Sequence, residues 1–178
     1  MTSLRTNNDW TILGDLFIRN VQLYQGLSLP IRESGCLFAS CPYGGPIAIA
    51  LAMQDGGQTG KSAATIWKVI ICSSNGKHQF GCIQASAIVN MFWSKCQKLI
   101  IINCDARVLL YSSLGKKLHI FDMGKETQEL GMIEAKCFSY AKDTGLAVLN
   151  SAHHIYAINS INNRALWRVH DSERQLVS

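Results

Sequence analysis

From Cys36 onward the chain alternates short runs of Ile, Val, Leu and aromatic residues with turns of Gly, Asn, Ser and Asp, spaced roughly ten residues apart. That pattern predicts β-strands joined by tight connections, with no amphipathic helix of convincing length between them. Two of the turns echo each other, Ser73-Ser74-Asn75-Gly76-Lys77 and Ser112-Ser113-Leu114-Gly115-Lys116. Asn75-Gly76 predicts a two-residue hairpin of type I′, which needs positive φ at both central positions. A second echo sets Met91-Phe92 and the apolar run 99–103 against Cys137-Phe138 and the run 146–150. A period of about 40 to 45 residues with four strands per unit is the signature of propeller blades.

Three blades are expected. The first uses strands near 36–41, 46–53, 66–72 and 78–83, the second 88–93, 98–104, 107–111 and 118–121, and the third 134–140, 145–149, 154–158 and 164–169. The corresponding units are 36–84, 87–122 and 133–169, within an incomplete propeller over 36–178 that follows a strand or lead-in over 1–35. The segment 124–135, with its Lys-Glu-Thr-Gln-Glu-Leu content, fits a short helix as well as a strand. Residues 9–25 fit either a helical turn or a strand at 21–25. The fold class is therefore all-β, an open partial β-propeller of about three four-stranded blades. Propellers close with about four to eight blades, so three leave an open arc with an uncovered apolar face. The expectation is a fragment or partial isoform of a longer protein, prone to associate or dependent on a partner.

The corner Cys41-Pro42-Tyr43-Gly44-Gly45-Pro46 opens the apolar run Ile47-Ala48-Ile49-Ala50-Leu51. Pro42 and Pro46 each lack an N–H and cannot sit within a central ladder, while paired glycines permit backbone angles closed to other residues. The string Pro42-Tyr43-Gly44-Gly45-Pro46-Ile47-Ala48 follows Trp10 and Leu23-Tyr24 and is followed by Met123-Gly124-Lys125-Glu126. In that order these strings resemble the N-terminal β-propeller of the class C vacuolar protein sorting subunit sixteen family, in register from about Trp10 to about Trp167. Pro42, Tyr43, Gly44, Gly45, Pro46, Met123 and Gly124 are thus the family-motif positions, with structural roles.

The resemblance implies a WD40-like propeller and a non-catalytic subunit of the HOPS and CORVET tethering complexes, acting in vesicle-mediated protein transport and in membrane tethering and fusion. It implies other tethering subunits as partners, no cofactor, and a cytoplasmic location, peripheral on late endosome, lysosome or vacuole membranes. The SM-family subunit that binds SNAREs docks on a helical C-terminal region in the family, so these residues are not expected to hold it.

Composition adds bounds. Hydrophobic residues form 48% of the 178 and charged residues 16%, enough apolar material for a core. The net charge of +5 comes without a basic stripe, the longest cationic run being Lys116-Lys117, so nucleic-acid binding is not expected. Seven cysteines, at 36, 41, 72, 82, 96, 104 and 137, show no C-x-x-C spacing and mostly lie in apolar runs, as free thiols used as small hydrophobes would. The N-terminus has no apolar signal segment, and no apolar run approaches the roughly 20 residues of a membrane span.

Candidate chemistry is sparse. Asp55-Gly56-Gly57-Gln58-Thr59-Gly60-Lys61-Ser62 ends like a phosphate-binding loop, but Asp55 stands where a P-loop has Gly and the following residues are strand-like. A nucleotide-binding protein using Gly60-Lys61-Ser62 is the alternative function, a generic peptide-binding adaptor another. The histidines at 78, 119, 153, 154 and 170 have no metal spacing, and His153-His154 on a strand would face opposite ways. Asp105 and Asp143 fall in expected turns, where a carboxylate bonds local N–H groups. No catalytic, cofactor-binding or metal site is expected. Trp10, Trp67, Trp93 and Trp167 are expected in the core between blades, with Phe92 facing away from Trp93.

Overall fold

The computed structural model describes residues 10–19, 35–53, 66–76 and 78–169. The Leu23-Tyr24 pair, the expected strand at 21–25, the loop-like segment 55–62, Lys77 and His170 lie outside them.

After a hairpin of β1 (Trp10–Leu13) and β2 (Leu16–Arg19) come three four-stranded antiparallel sheets. The first holds β3 (Cys36–Ser40), β4 (Ile47–Met53), β5 (Ile66–Cys72) and β6 (Gln79–Ala85). The second holds β7 (Ile88–Trp93), β8 (Leu99–Asn103), β9 (Arg107–Tyr111) and β10 (Lys117–Asp122), and the third β11 (Met132–Tyr140), β12 (Asp143–Asn150), β13 (Ile155–Ile158) and β14 (Leu166–Val169). Each is an up-and-down meander in chain order, and none closes on itself. The one α-helix among the described residues, α1 (Lys125–Leu130), fills the ambiguous segment between the second and third sheets. The fold is all-β, open and propeller-like, as the alternation of apolar runs and turns predicts.

First strands adjoin one another: β7 lies beside β3 on one side and β11 on the other. The Asn90 side-chain amide donates to the Ala135 carbonyl at 3.3 Å across the second of these junctions. The core explains this stacking. In β8, Leu99, Ile100, Ile101 and Ile102 are all fully buried. Successive side chains leave a strand on opposite faces, so Leu99 and Ile101 pack toward the first sheet while Ile100 and Ile102 pack toward the third. A continuous apolar run is what a strand covered on both faces requires.

On the first sheet the alternation Ile47-Ala48-Ile49-Ala50 sorts by size. Ala39, Ala48 and Ala50 face the second sheet, where they leave room for Met91, Trp93 and Tyr111. Ile47, Ile49, Leu51, Ile70 and Cys72 form a separate buried cluster on the opposite face. The Trp93 indole N–H donates to the Ala39 carbonyl at 3.1 Å, tying β7 to β3.

Several local expectations need correction. Gly76 has positive φ but Asn75 does not, so the Asn75-Gly76 turn is not type I′. Ser73 instead accepts from Gly76 N–H and donates its own N–H to His78, closing a longer loop in which Gly76 is left-handed. The echo at 112–116 closes the same way one residue shorter, with Gly115 at φ +81°. Trp93 is buried and Phe92 faces the other sheet cluster, but Trp10 and Trp167 are exposed. Trp167 pairs with Ala157 on the face of the third sheet turned away from the second, where strand alternation puts it. Cysteines also divide: Cys41 and Cys72 are buried and Cys137 half-buried, but Cys36, Cys82, Cys96 and Cys104 are exposed because each falls at an outward register position or in a turn. All seven are free thiols.

Candidate functional site

The motif residues occupy two places. Pro42–Gly44 form a single 3-10 turn between β3 and β4, closed by the Cys41 N–H donating to the Pro46 carbonyl at 3.0 Å. Gly44 sits at φ +78° with open space around it, so its lack of a side chain serves the backbone. Gly45 differs from the expectation of a left-handed pair: its φ is −75°. A Cβ there would lie 2.6 Å from Cys41 Sγ and 2.8 Å from Cys41 Cβ, so Gly45 is required by close approach. Met123, fully buried, plugs the core between the second and third sheets, and its N–H donates to the Ala106 carbonyl. Gly124, at φ +93°, starts α1 against Leu166.

Beginning one residue past Gly124, α1 carries the densest polar cluster among the described residues. The Glu126 carboxylate accepts from His154 Nδ1 at 2.5 Å, from the Tyr156 hydroxyl and from the Asn150 side-chain amide at 3.3 Å. Hydrogen bonds from Tyr156 and then His154 hold the Glu126 carboxyl down at about 2, against an ordinary 4.5. The same contact raises the Tyr156 phenol. With the carboxylate ionised, His154 Nδ1 must carry the proton it donates. Asn150 also accepts from the backbone N–H groups of Ala152 and His154, fixing the turn that presents the histidine. His153-His154 thus lie in a turn and not on a strand, and His153 takes φ +63°. Three donors converge on one carboxylate, so the cluster clamps α1 to the third sheet.

Because the folded carboxyl is depressed, its stabilising contribution is complete above its ordinary 4.5 and is lost as pH falls toward about 2. Carbon-detected NMR titration should place the Glu126 midpoint near 2, and Tyr156→Phe should move it toward 4.5. A midpoint unchanged in Tyr156→Phe would show that the phenol does not bear on the carboxylate.

Asp143 and Asp105 behave as turn residues. Burial alone would raise the Asp143 carboxyl, but bonds from Ser160, the Thr144 N–H and Asn162, with the Lys98 charge, bring it below its usual range. Asp105 accepts from the Arg107 N–H and pairs with its guanidinium at 3.4 Å. His119 is exposed on β10. A cleft between the first two sheets, of about 490 Å³, is lined by Ile66, Gln84, Ala85, Ser86, Ala87, Cys104 and Asp105, and its walls are mainly apolar. No group of three or more His, Cys, Asp or Glu residues is placed to hold a metal among the described residues.

Sequence reasoning missed the Glu126 cluster because its partners lie 24 to 30 positions away, on a different sheet. Its only linear cue is that Glu126 closes the Met123–Glu126 string.

The family model described as "Vps16, N-terminal region" matches residues 6–178. The chain belongs to that family. Among its relatives, the vacuolar protein sorting-associated protein 16 homolog of Caenorhabditis elegans is 26% identical over 133 residues, covering 73% of this chain and 14% of the relative. The Dictyostelium discoideum homolog is 25% identical over 158 residues, covering 86% and 18%. That of Drosophila melanogaster is 25% identical over 117 residues, covering 65% and 14%. The chain therefore spans less than a fifth of the length of these Vps16 homologs. Among the described residues no helix is long and apolar enough to cross a membrane.

Proposed function

We propose that this Vps16 N-terminal region is a non-catalytic scaffold in a multisubunit tethering complex of vacuolar protein sorting, HOPS or CORVET, holding neighbouring subunits by surface complementarity. It acts in vesicle tethering ahead of membrane fusion, at the cytoplasmic face of late endosomes, lysosomes or vacuoles, and associates with those membranes through the complex. What supports this is the match over residues 6–178. The geometry accords with it: the strongest polar groups described, Glu126 and Asp143, are engaged in joining elements together. The unit 36–178 serves as an array of blades, with the motif residues Pro42–Pro46 and Met123-Gly124 setting its corners.

The test is affinity purification of the tagged chain from its source cells, with quantitative identification of the proteins retained. Enrichment of other class C tethering subunits over an unrelated tagged propeller is the expected result. Their absence, or saturable nucleotide binding abolished by Lys61→Ala, would replace the scaffold reading.

A further inference from the structure

The meander topology sorts charge in a way the linear sequence hides. In each sheet the first-to-second and third-to-fourth connections leave from one end, and the remaining connections leave from the other. At the first end stand Lys95 and Lys98 around the β7–β8 turn, Lys116 and Lys117 at the β9–β10 turn, and Lys142 in the β11–β12 turn. At the opposite end stand Asp105, Asp122, Glu126 and Glu129, with Arg107, Lys125 and Arg168. Cations scattered over nearly fifty positions are thus brought to one end of two neighbouring sheets.

Local bonds gather three of them. Lys95 Nζ donates to the Ala141 carbonyl at 2.9 Å, beside Lys142, and Lys98 Nζ donates to Asn162 Oδ1 at 2.9 Å. None of the five lysines has a carboxylate ion-pair partner within 4 Å among the described residues. Asp143, which opens β12 at this end and feels the Lys98 charge, has its oxygens engaged by Ser160, Asn162 and Thr144. In the β9–β10 turn, just before Lys116 and Lys117, Leu114 is 66% exposed. Its turn is fixed, since the Leu114 backbone lies against Gly81 of the first sheet.

We propose that this end, which carries Lys95, Lys98, Lys116, Lys117 and Lys142 together with the exposed Leu114, docks on an anionic phospholipid surface. Lysine ammonium groups are point charges suited to a diffuse layer of lipid phosphates and carboxylates, and an exposed leucine at the same end suits the boundary of headgroups and acyl chains. An acidic protein segment would satisfy the lysines but gives the protruding leucine no role. The acidic opposite end orients the molecule, because an anionic surface repels it. This inference stands apart from the tethering reading, since vesicle binding by the chain alone and retention of partner subunits are scored separately.

The experiment is co-sedimentation of the full 178-residue chain with phosphatidylcholine vesicles and with vesicles enriched in phosphatidylserine. Binding should favour the anionic vesicles and weaken with salt as screening shortens. The Lys116→Gln, Lys117→Gln, Lys142→Gln triple variant should lose on the order of a hundredfold in partitioning, and Lys142→Gln alone about fivefold. A charge-matched triple outside the docking end, Arg107→Gln and Lys125→Gln at the opposite end with Lys136→Gln in the middle of β11, should stay within about twofold of the unmodified chain. Leu114→Ser should weaken what binding persists at high salt. Equal binding to both vesicle types, or equal loss in both triples, overturns the proposal. So does capture by polyglutamate in place of vesicles with Leu114→Ser having no effect, which would assign this end to an acidic protein.

Discussion

Replacing Trp93 by alanine is expected to lower the unfolding free energy by about 3–5 kcal/mol, the range for losing a large aromatic from a packed core. Trp93 is only 6% exposed and lies where the first two sheets meet, over the small residues Ala39, Ala48 and Ala50. Those alanines cannot close the gap its removal would leave, so the cavity term adds to the lost burial. Its indole N–H also donates to the Ala39 carbonyl, which would be left without that partner. Trp93→Phe separates the two effects, because it keeps most of the volume and loses only the bond, at about 1–2 kcal/mol. In thermal unfolding the alanine variant should melt lower by roughly 10 °C or more. A melting curve matching the unmodified chain would show that the junction of the first and second sheets contributes little to the cooperative unit.

The contrast between Trp93 and Trp167 marks what the sequence could and could not reveal. Both sit at strand positions, and a local pattern of apolar residues gives both the same expectation. Their fates differ because β7 has sheets on both sides, whereas Trp167 points to the face of the third sheet away from the second. Strand positions and turn positions were legible because each follows from period-two alternation and from Gly or Asn nearby. The run 99–102 even carried its own double burial, since four successive apolar residues fit a strand covered on both faces. The N-terminal hairpin of Trp10–Leu13 and Leu16–Arg19 was missed although Gly14-Asp15 between two apolar runs is a hairpin signal, because its four-residue strands lack period-two alternation and every residue in them is exposed. The Glu126 cluster and the lysine-bearing end were hidden for another reason. Both arise from elements distant in sequence that the meander topology places together, and no spacing within one segment encodes them.

Gly81→Val should cost about 3 kcal/mol, and the reason lies in backbone packing and not in glycine's conformational freedom. Gly81 is in β6, paired with Ile71, and its φ is not in the left-handed region. A Cβ on it would stand 2.8 Å from the Leu114 carbonyl oxygen and 3.1 Å from Gly115 Cα, both backbone atoms of the β9–β10 turn. Side chains can rotate away from a clash of that kind; a hydrogen-bonded turn cannot. Gly115 faces back, with a Cβ there falling 3.3 Å from Gly81 Cα, so the two glycines form a backbone-to-backbone contact between the first and second sheets. Trp93 bonds the same pair of sheets at their first strands, and this contact joins them near their last strands. A valine at position 81 must therefore part the sheets locally or displace the turn. Gly81→Ala already introduces the offending Cβ and should be more harmful than Gly44→Ala. Gly44 has a left-handed backbone but open space, so alanine there costs only the conformational penalty of about 1 kcal/mol. Chemical denaturation of the three variants tests that ordering. If Gly44→Ala proved the most damaging and Gly81→Val unfolded like the unmodified chain, the close approach of β6 to the β9–β10 turn would not contribute to holding the sheets together.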